Sequence, residues 1–481
     1  NGSIVYMRKK IVSLLFILLF CNSLKSFAQD NHYWSQQFGA KSTLLGGAVI
    51  GGVRDNSAIF YNPGAFTFIK YPSLSVNANL YEMNKLLIKD GAGEGVNLNS
   101  ARVSIFPQII SGMLTLKKWP RMHLSYCLMT RHYDNILIKT RFTSQDFSGP
   151  SQGVEEYIGV FDYTNQLNEQ WLGFAASYEV NDKLGVGISF FGNYRAQTYQ
   201  QSYFVRKIQL DDSTNWIITS NNDKFLKYWT MSGLFKIGIA YETGRWKLGF
   251  TVTTPSFGFA GRGDMQREFS VFAASDDPTD TAQSFILMGR VSKTKVRFQR
   301  PLSMGFGVEY STPKTRIALS GEYYFGIRQY DMMAPQATPF IYPPQYEDSS
   351  YIQAFAHDFL LVQRKARSVF NVAIGLEQKL FPRLSLLAGF HTDLSSYEEP
   401  EHEEIFSNHG GTWDLYHCSL GLSFHRKKQI ISVGITYTFS PQEKIDPYAM
   451  INPNQAGYRE ATVNSQIFAI SIGYTYLFPR E

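Results

Sequence analysis

Cysteine is nearly absent from this chain: three residues in 481, at positions 21, 127 and 418. Cys21 lies in a leader-like apolar stretch. Cys127 falls on the polar face of its segment and Cys418 on the apolar face of its own, so both read as free thiols. That excludes a disulfide framework, the usual support of small exported domains. Long apolar runs are missing too. Beyond residue 70 no segment reaches the roughly 20 apolar residues that a membrane helix needs. No Pro/Ser-rich linker, low-complexity tract or short-period repeat divides the chain there, which argues against the string of separate domains that its length would suggest. Excess charge is small as well. The formal charge is +6, and four of the positive charges (Arg8, Lys9, Lys10 and Lys25) sit in the leader. The remaining +2 offers no basic surface for nucleic acid.

Catalytic signatures are lacking. There is no G-x-S-x-G elbow and no H-E-x-x-H pair. His123, His391, His409, His417 and His425 are scattered without a Ser or acid at a recognisable local spacing. The acidic groups Glu398, Glu399, Glu401, His402, Glu403, Glu404 and Asp276, Asp277, Asp280 do not follow EF-hand spacing, and they read as solvated loops. The expectation is a protein that is not an enzyme, with no catalytic residue, no metal and no cofactor.

What is present points outward from the cell interior. Residues 7–10 (Met-Arg-Lys-Lys) and the apolar residues 11–20 form the n- and h-regions of an export signal. Ser26, Phe27 and Ala28 place small residues where a signal peptidase reads, so residues 1–28 are expected to be leader, cleaved after Ala28. Aromatic residues make up 15% of the chain, with 29 Tyr and 37 Phe. In the absence of membrane helices, that content suits strands with aromatic girdles.

From residue 73 onward, segments of period two follow one another. Leu420, Leu422 and Phe424 alternate with Ser419, Gly421 and Ser423. Ile431, Val433, Ile435 and Tyr437 alternate with Ser432, Gly434 and Thr436. The faces opposite the apolar ones carry Gly, Ser and Thr rather than the Lys and Glu of a solvated sheet. Alternation of this kind over about ten residues marks a transmembrane barrel.

About fourteen strands are expected: 71–82, 101–116, 121–139, 168–180, 184–206, 225–242, 246–254, 286–311, 315–326, 366–379, 384–394, 413–425, 430–441 and 464–478. Short connections (117–120, 181–183, 243–245, 312–314, 380–383, 426–429) alternate with long ones (83–100, 140–167, 207–224, 255–285, 327–365, 395–412, 442–463). Both termini then lie on the short-turn side, as in a closed outer-membrane barrel with an even strand number. The fold class is all-β: a transmembrane antiparallel barrel over 71–481, preceded by an N-terminal segment, 29–70.

Residues 46–66 of that segment read GGAVIGGVRDNSAIFYNPGAF. Glycines, the short polar residues Asp55, Asn56 and Ser57, and the turn Asn62-Pro63-Gly64 make a compact, sharply turned stretch. It resembles the N-terminal hatch of the FadL-type outer-membrane transporters of hydrophobic compounds, in which a small-residue run, an acidic position and an Asn-Pro-Ala-Gly motif fold into the lumen. The matching positions here are Asp55, Ser57, Ala58, Asn62 and Pro63. Gly64 stands where the family more often has Ala, which would make the turn looser. The runs at 171–189 (WLGFAASYEVNDKLGVGIS) and 249–256 (GFTVTTPS) are similar to the family's strands. The aromatic end of the last strand, at Phe478, resembles those that barrel-assembly machinery recognises.

The resemblance implies a monomeric protein of a Gram-negative outer membrane, in contact with outer-membrane lipid and lipopolysaccharide. It would pass hydrophobic small molecules such as long-chain fatty acids passively into the membrane through an opening in its wall. Phe60, Tyr61, Phe66 and Phe68 flank the hatch turn and are candidates for an apolar pocket. If Val296 and Phe298 face lipid, then Lys293, Lys295 and Arg297 face the lumen and could hold a ligand carboxylate. Aromatics in the loops at 140–167 and 327–365 (Phe142, Phe147, Tyr157, Phe161, Tyr163, Phe340, Tyr342, Tyr346, Tyr351) suggest a capture groove. Two other readings remain open. One is a barrel recruited to protein secretion or surface attachment, docking through 327–365 and 442–463; the other is a lipid-modifying barrel enzyme.

Overall fold

The computed structural model describes residues 31–479 apart from 94, 117, 147–153, 211–214, 276–283, 343–357, 399–411, 446 and 448–459. The leader, the acids Glu399, Glu401, Glu403, Glu404, Asp276, Asp277 and Asp280, and the loop aromatics Phe147, Tyr346 and Tyr351 lie outside the described residues.

Fourteen antiparallel strands make one closed barrel. They are β1 (Ser73–Lys89), β2 (Leu98–Leu116), β3 (Trp119–Asp146), β4 (Val154–Asn181), β5 (Leu184–Leu210), β6 (Asn215–Thr243), β7 (Trp246–Thr253 and Phe257–Ser275), β8 (Phe285–Lys295 and Ser303–Ser311), β9 (Thr315–Tyr324 and Ile327–Met333), β10 (Val362–Ala366 and Val369–Phe381), β11 (Leu384–Asp393), β12 (Leu415–Arg426), β13 (Gln429–Phe439) and β14 (Ala461–Leu477). The ring closes where β1 pairs with β14, Ser73 against Leu477 through Lys89 against Thr462. Closure removes the free edges that an open sheet would present, apart from the stretch of β2 and β3 beyond Ile109 and Met129, which is left unpaired.

Alternation decides which side chains enter the lumen. On β12, Ser419 and Ser423 are buried while Leu420, Leu422 and Phe424 are exposed; on β6, Leu234 and Ala240 are buried while Ile237, Ile239 and Tyr241 are exposed. The outer surface is therefore an apolar band. At the other end of these strands the hairpins are tight. β6 and β7 are joined by Gly244 and Arg245 alone, with Gly244 at φ +57°, a conformation that glycine takes at little cost.

The strands on one side run further than the alternation suggests. Much of the expected loops 140–167, 207–224 and 255–285 is strand: β3 continues to Asp146, β4 starts at Val154, and β7 runs to Ser275. Beyond the apolar band both faces carry polar and aromatic residues, so the period-two signal fades while the ladder continues from Met122–Tyr178 to Asp146–Glu155. Four strands are broken. β7 is interrupted at 254–256, β8 at 296–302, β9 at 325–326 and β10 at 367–368; the outer part of β9 pairs only with the outer part of β10, as a separate two-stranded sheet.

Candidate functional site

The inner faces of the strands are filled at the short-turn end by the N-terminal segment. Inward small residues let its backbone approach, and serines bond it on several sides. Ser177 on β4 donates to the Pro63 carbonyl (2.5 Å), Ser189 on β5 to Ile59 (2.8 Å) and Ser419 on β12 to Leu44 (3.0 Å); Ser320 on β9 accepts from the Ile50 N–H (3.1 Å). Asn62 caps its own turn by accepting from the Gly64 N–H (3.1 Å), and its amide donates to the carbonyls of Ile50 and of Ile239 on β6, both at 3.0 Å. Gly64 is tighter than the family comparison suggests. A methyl group there would come within 2.7 Å of the Gly238 carbonyl oxygen and 2.8 Å of that of Gly185. The turn is close-packed, not loose.

Asp55 does not reach the barrel wall. It accepts from the Ser57 N–H (3.0 Å) and from the Ser57 hydroxyl, and so shapes the segment from within. Its neighbour Asn56 is the anchor, donating to the Ser73 and Ser111 carbonyls, both at 3.1 Å, and accepting from the Ser73 hydroxyl. Lys41 pairs with Glu377 on β10 at 3.1 Å. Burial pushes its ammonium below the usual lysine range, and Glu377 opposes that shift.

Ala58, Phe60, Tyr61 and Phe66 are buried among Phe38, Trp171 and Phe191, and Phe68 packs partly buried against them. Phe60 stands edge-on to Phe38 (4.9 Å) and Trp171 (6.3 Å). Tyr61 donates to Gln37 (2.8 Å) and accepts from the Phe38 N–H (3.0 Å). These residues form a packed layer between the segment and the wall.

Above that layer the lumen is charged. Glu169 on β4 receives Arg300 on both oxygens, Arg195 at 2.8 Å and the Trp171 indole N–H at 2.6 Å. The guanidinium of Arg195 covers the Phe298 ring (4.0 Å), and Arg364 lies 4.2 Å from that ring as well. Arg131 on β3 donates to the Tyr33 carbonyl and lies over Phe60 (5.6 Å) and Trp171 (5.7 Å); its Nε has no partner among the described residues. Higher still, Phe161, Tyr163, Tyr199, Tyr203, Phe298 and Phe359 belong to a second apolar cluster. Phe142, Phe161 and Tyr163, expected in an exposed loop, are thus buried on strands, whereas Phe340 and Tyr342 are exposed.

Lys293, Lys295 and Arg297 do not face the lumen. All three are exposed, while Val296, Phe298 and Arg300 are the buried ones. The alternation reverses twice along β8. Phe285 and Leu287 point inward; a bulge opposite Asp264, with Lys293 at φ +58°, turns even-numbered residues inward. The break around Pro301 restores the first parity, so that Ser303 and Glu309 are buried and Met304 and Phe306 exposed. A pattern read outward from residues 302–310 is right there and inverted at 293–300.

The wall has a long seam between β2 and β3. β2 pairs with β3 only from Leu116–Trp119 to Ile109–Met129, although β2 extends to Leu98 and β3 to Asp146. Along the unpaired stretch Phe106 stacks on Tyr133 (5.0 Å), and the Leu137 N–H reaches the Ser100 hydroxyl at 3.3 Å. A cavity of about 130 Å³ lies behind it, lined by Gln108, His132, Tyr133 and Asp134 near the seam and by His391 and His417 across the lumen. Neither the seam nor Arg131 announces itself in sequence; the seam depends on which strand registers are left unmade, and Arg131 on contacts with Tyr33, Phe60 and Trp171 far away in the chain.

No protein-family model matches the chain, and no curated protein matches it. Solved structures do. A Pseudomonas aeruginosa FadL homologue is 13% identical, with 93% of this chain and 100% of that one covered and a TM-score of 0.56. The Pseudomonas putida toluene transporter TodX is 13% identical over 95% and 100%, with a TM-score of 0.57. The Ralstonia pickettii toluene transporter TbuX is 14% identical over 92% and 99%, with a TM-score of 0.53.

Proposed function

We propose, from the FadL-type transporter fold of the chain, that it resides in a Gram-negative outer membrane and admits hydrophobic small molecules by passive diffusion, long-chain fatty acids among them, with residues 29–70 as the hatch. The apolar outer band supports a bilayer setting, since exposed rows such as Leu420, Leu422 and Phe424 have no reason to face water. The observation that carries the transport reading is the seam between β2 and β3 with a cavity behind it. A ligand would move from the upper apolar cluster to this cavity and leave sideways, its apolar part never crossing bulk water. A carboxylated ligand would find Arg131 on the way, a buried cation with no acid in ion-pair range among the described residues. The secretion reading rests on loops whose tips, 343–357 and 448–459, lie outside the described residues, and no specific contact favours it.

The test closes the seam. Phe106→Cys with Tyr133→Cys, in a Cys418→Ser background, can be joined by oxidation or by a short bis-thiol reagent. Uptake of toluene and of a long-chain fatty acid should fall on closure, and reduction of the oxidised form should restore it. Undiminished uptake through a fully crosslinked barrel would rule out the seam as the route.

A further inference from the structure

We propose that the outer wall of β6, β7 and β8 binds the phosphate groups of a phosphorylated glycolipid in the outer leaflet. Register places Trp229 opposite Arg262 and Arg262 opposite Lys295, one row across three strands. Arg262 and Lys295 are both exposed. Two like charges directly opposite on an antiparallel pair destabilise it unless an anion lies between them. No described acid supplies that anion: Arg262, Lys293, Lys295, Arg297 and Lys227 take part in no ion pair among the described residues. The acid within the patch, Asp264, is turned to the Lys293 backbone N–H at 2.8 Å.

The same bulge accounts for the cluster. Lys293 takes φ +58°, which is costly for a lysine, and the parity reversal that follows moves Lys295 and Arg297 from lumen to outer surface. Arg262 then reaches toward the Lys293 carbonyl at 3.4 Å, drawing the cations together. The surface there is concave, about 890 Å³, lined by Tyr194, Lys227, Trp229, Arg262 and Lys293 among others, with Tyr194 stacked on Trp229 at 6.4 Å. Directly toward the short-turn end lie the exposed apolar residues Met231, Phe257 and Phe259. Along the wall the apolar side chains come first with Tyr194, then the row that Trp229 shares with Arg262 and Lys295, then Lys227 and Lys293. That order matches acyl chains, a sugar that can lie on flat rings, and phosphates.

This inference rests on the outer-membrane reading above, and its test separates the two. Purified protein in phosphatidylcholine nanodiscs is titrated with bis-phosphorylated lipid A, with the same lipid stripped of both phosphates, with phosphatidylglycerol and with inorganic phosphate. Binding should be saturable for the first alone. Arg262→Gln with Lys295→Gln should weaken it at least tenfold, while Lys379→Gln with Arg383→Gln at the short-turn end should not. Toluene uptake by the Arg262/Lys295 variant should stay normal, so loss of lipid binding is not loss of transport. Equal binding of the dephosphorylated lipid to the unaltered protein, or of phosphatidylglycerol, overturns the proposal without any variant having to fold. Failure of the unaltered protein to enter bilayers would instead undo the membrane reading.

Discussion

Arg300 closes on both carboxylate oxygens of Glu169, joining β8 to β4 across the lumen, although three strands lie between them around the ring. Arg195 shares the same carboxylate, so two buried guanidinium groups meet on one acid. Removing one partner of such a group leaves charge stranded, at a typical cost of about 3–5 kcal/mol. Glu169→Gln should therefore lower the thermal unfolding temperature in detergent clearly. Arg195→Gln, which leaves Arg300 paired, should cost less. Equal stability of Glu169→Gln and the parent would show that the cluster is compensated elsewhere.

Arg131 makes a separate prediction about ligand choice. It is buried over Phe60 and Trp171, and it donates a hydrogen bond to the Tyr33 carbonyl. Arg131→Gln should reduce saturable uptake of a long-chain fatty acid on the order of tenfold, because a charge-assisted bond is lost. Uptake of an uncharged hydrocarbon of similar length should change little. Lys293→Gln, Lys295→Gln and Arg297→Gln together should leave both uptakes as they were, since those side chains lie outside the barrel. A parallel loss for both ligands in Arg131→Gln would make the residue structural.

How much of this could be read from the chain alone follows from where the physics is local. The fourteen strands and their tight turns are legible because outward-facing Leu420, Leu422 and Phe424 alternate with lumen residues of small size. Asn62 and Pro63 stand out because a capped turn has a fixed chemistry. The inversion at Lys293 is invisible, since a bulge depends on pairing with Asp264 on another strand and leaves no mark in the residue pattern. Asn56 is less conspicuous in sequence than Asp55, yet its amide carries both the donors and the acceptor that Ser73 and Ser111 require, which a carboxylate does not. The Glu169 cluster joins residues 131 positions apart, and nothing in local spacing connects them.

The N-terminal segment proposed as the hatch supplies the last prediction. Its turn is held by close approach: Gly64 faces the carbonyls of Gly238 and Gly185, and Gly187 lies against Pro63. Gly64→Ala puts a methyl group where the wall leaves no room, so the turn must lift from β5 and β6. Asn62→Ala removes the two amide donations to Ile50 and Ile239 and the cap on Gly64, at about 1 kcal/mol for each hydrogen bond. The barrel itself does not depend on these contacts, because the strand ladder closes through β1 and β14 without the segment. Either variant should migrate as a heat-modifiable, membrane-inserted barrel with altered uptake of apolar ligands and no general leak. Deletion of residues 46–66 should go further, admitting small sugars in a liposome-swelling assay while saturable uptake of apolar ligands falls. A deletion protein that fails to insert would make the segment a folding element. One that inserts and shows neither leak nor altered uptake would mean that residues 46–66 gate nothing.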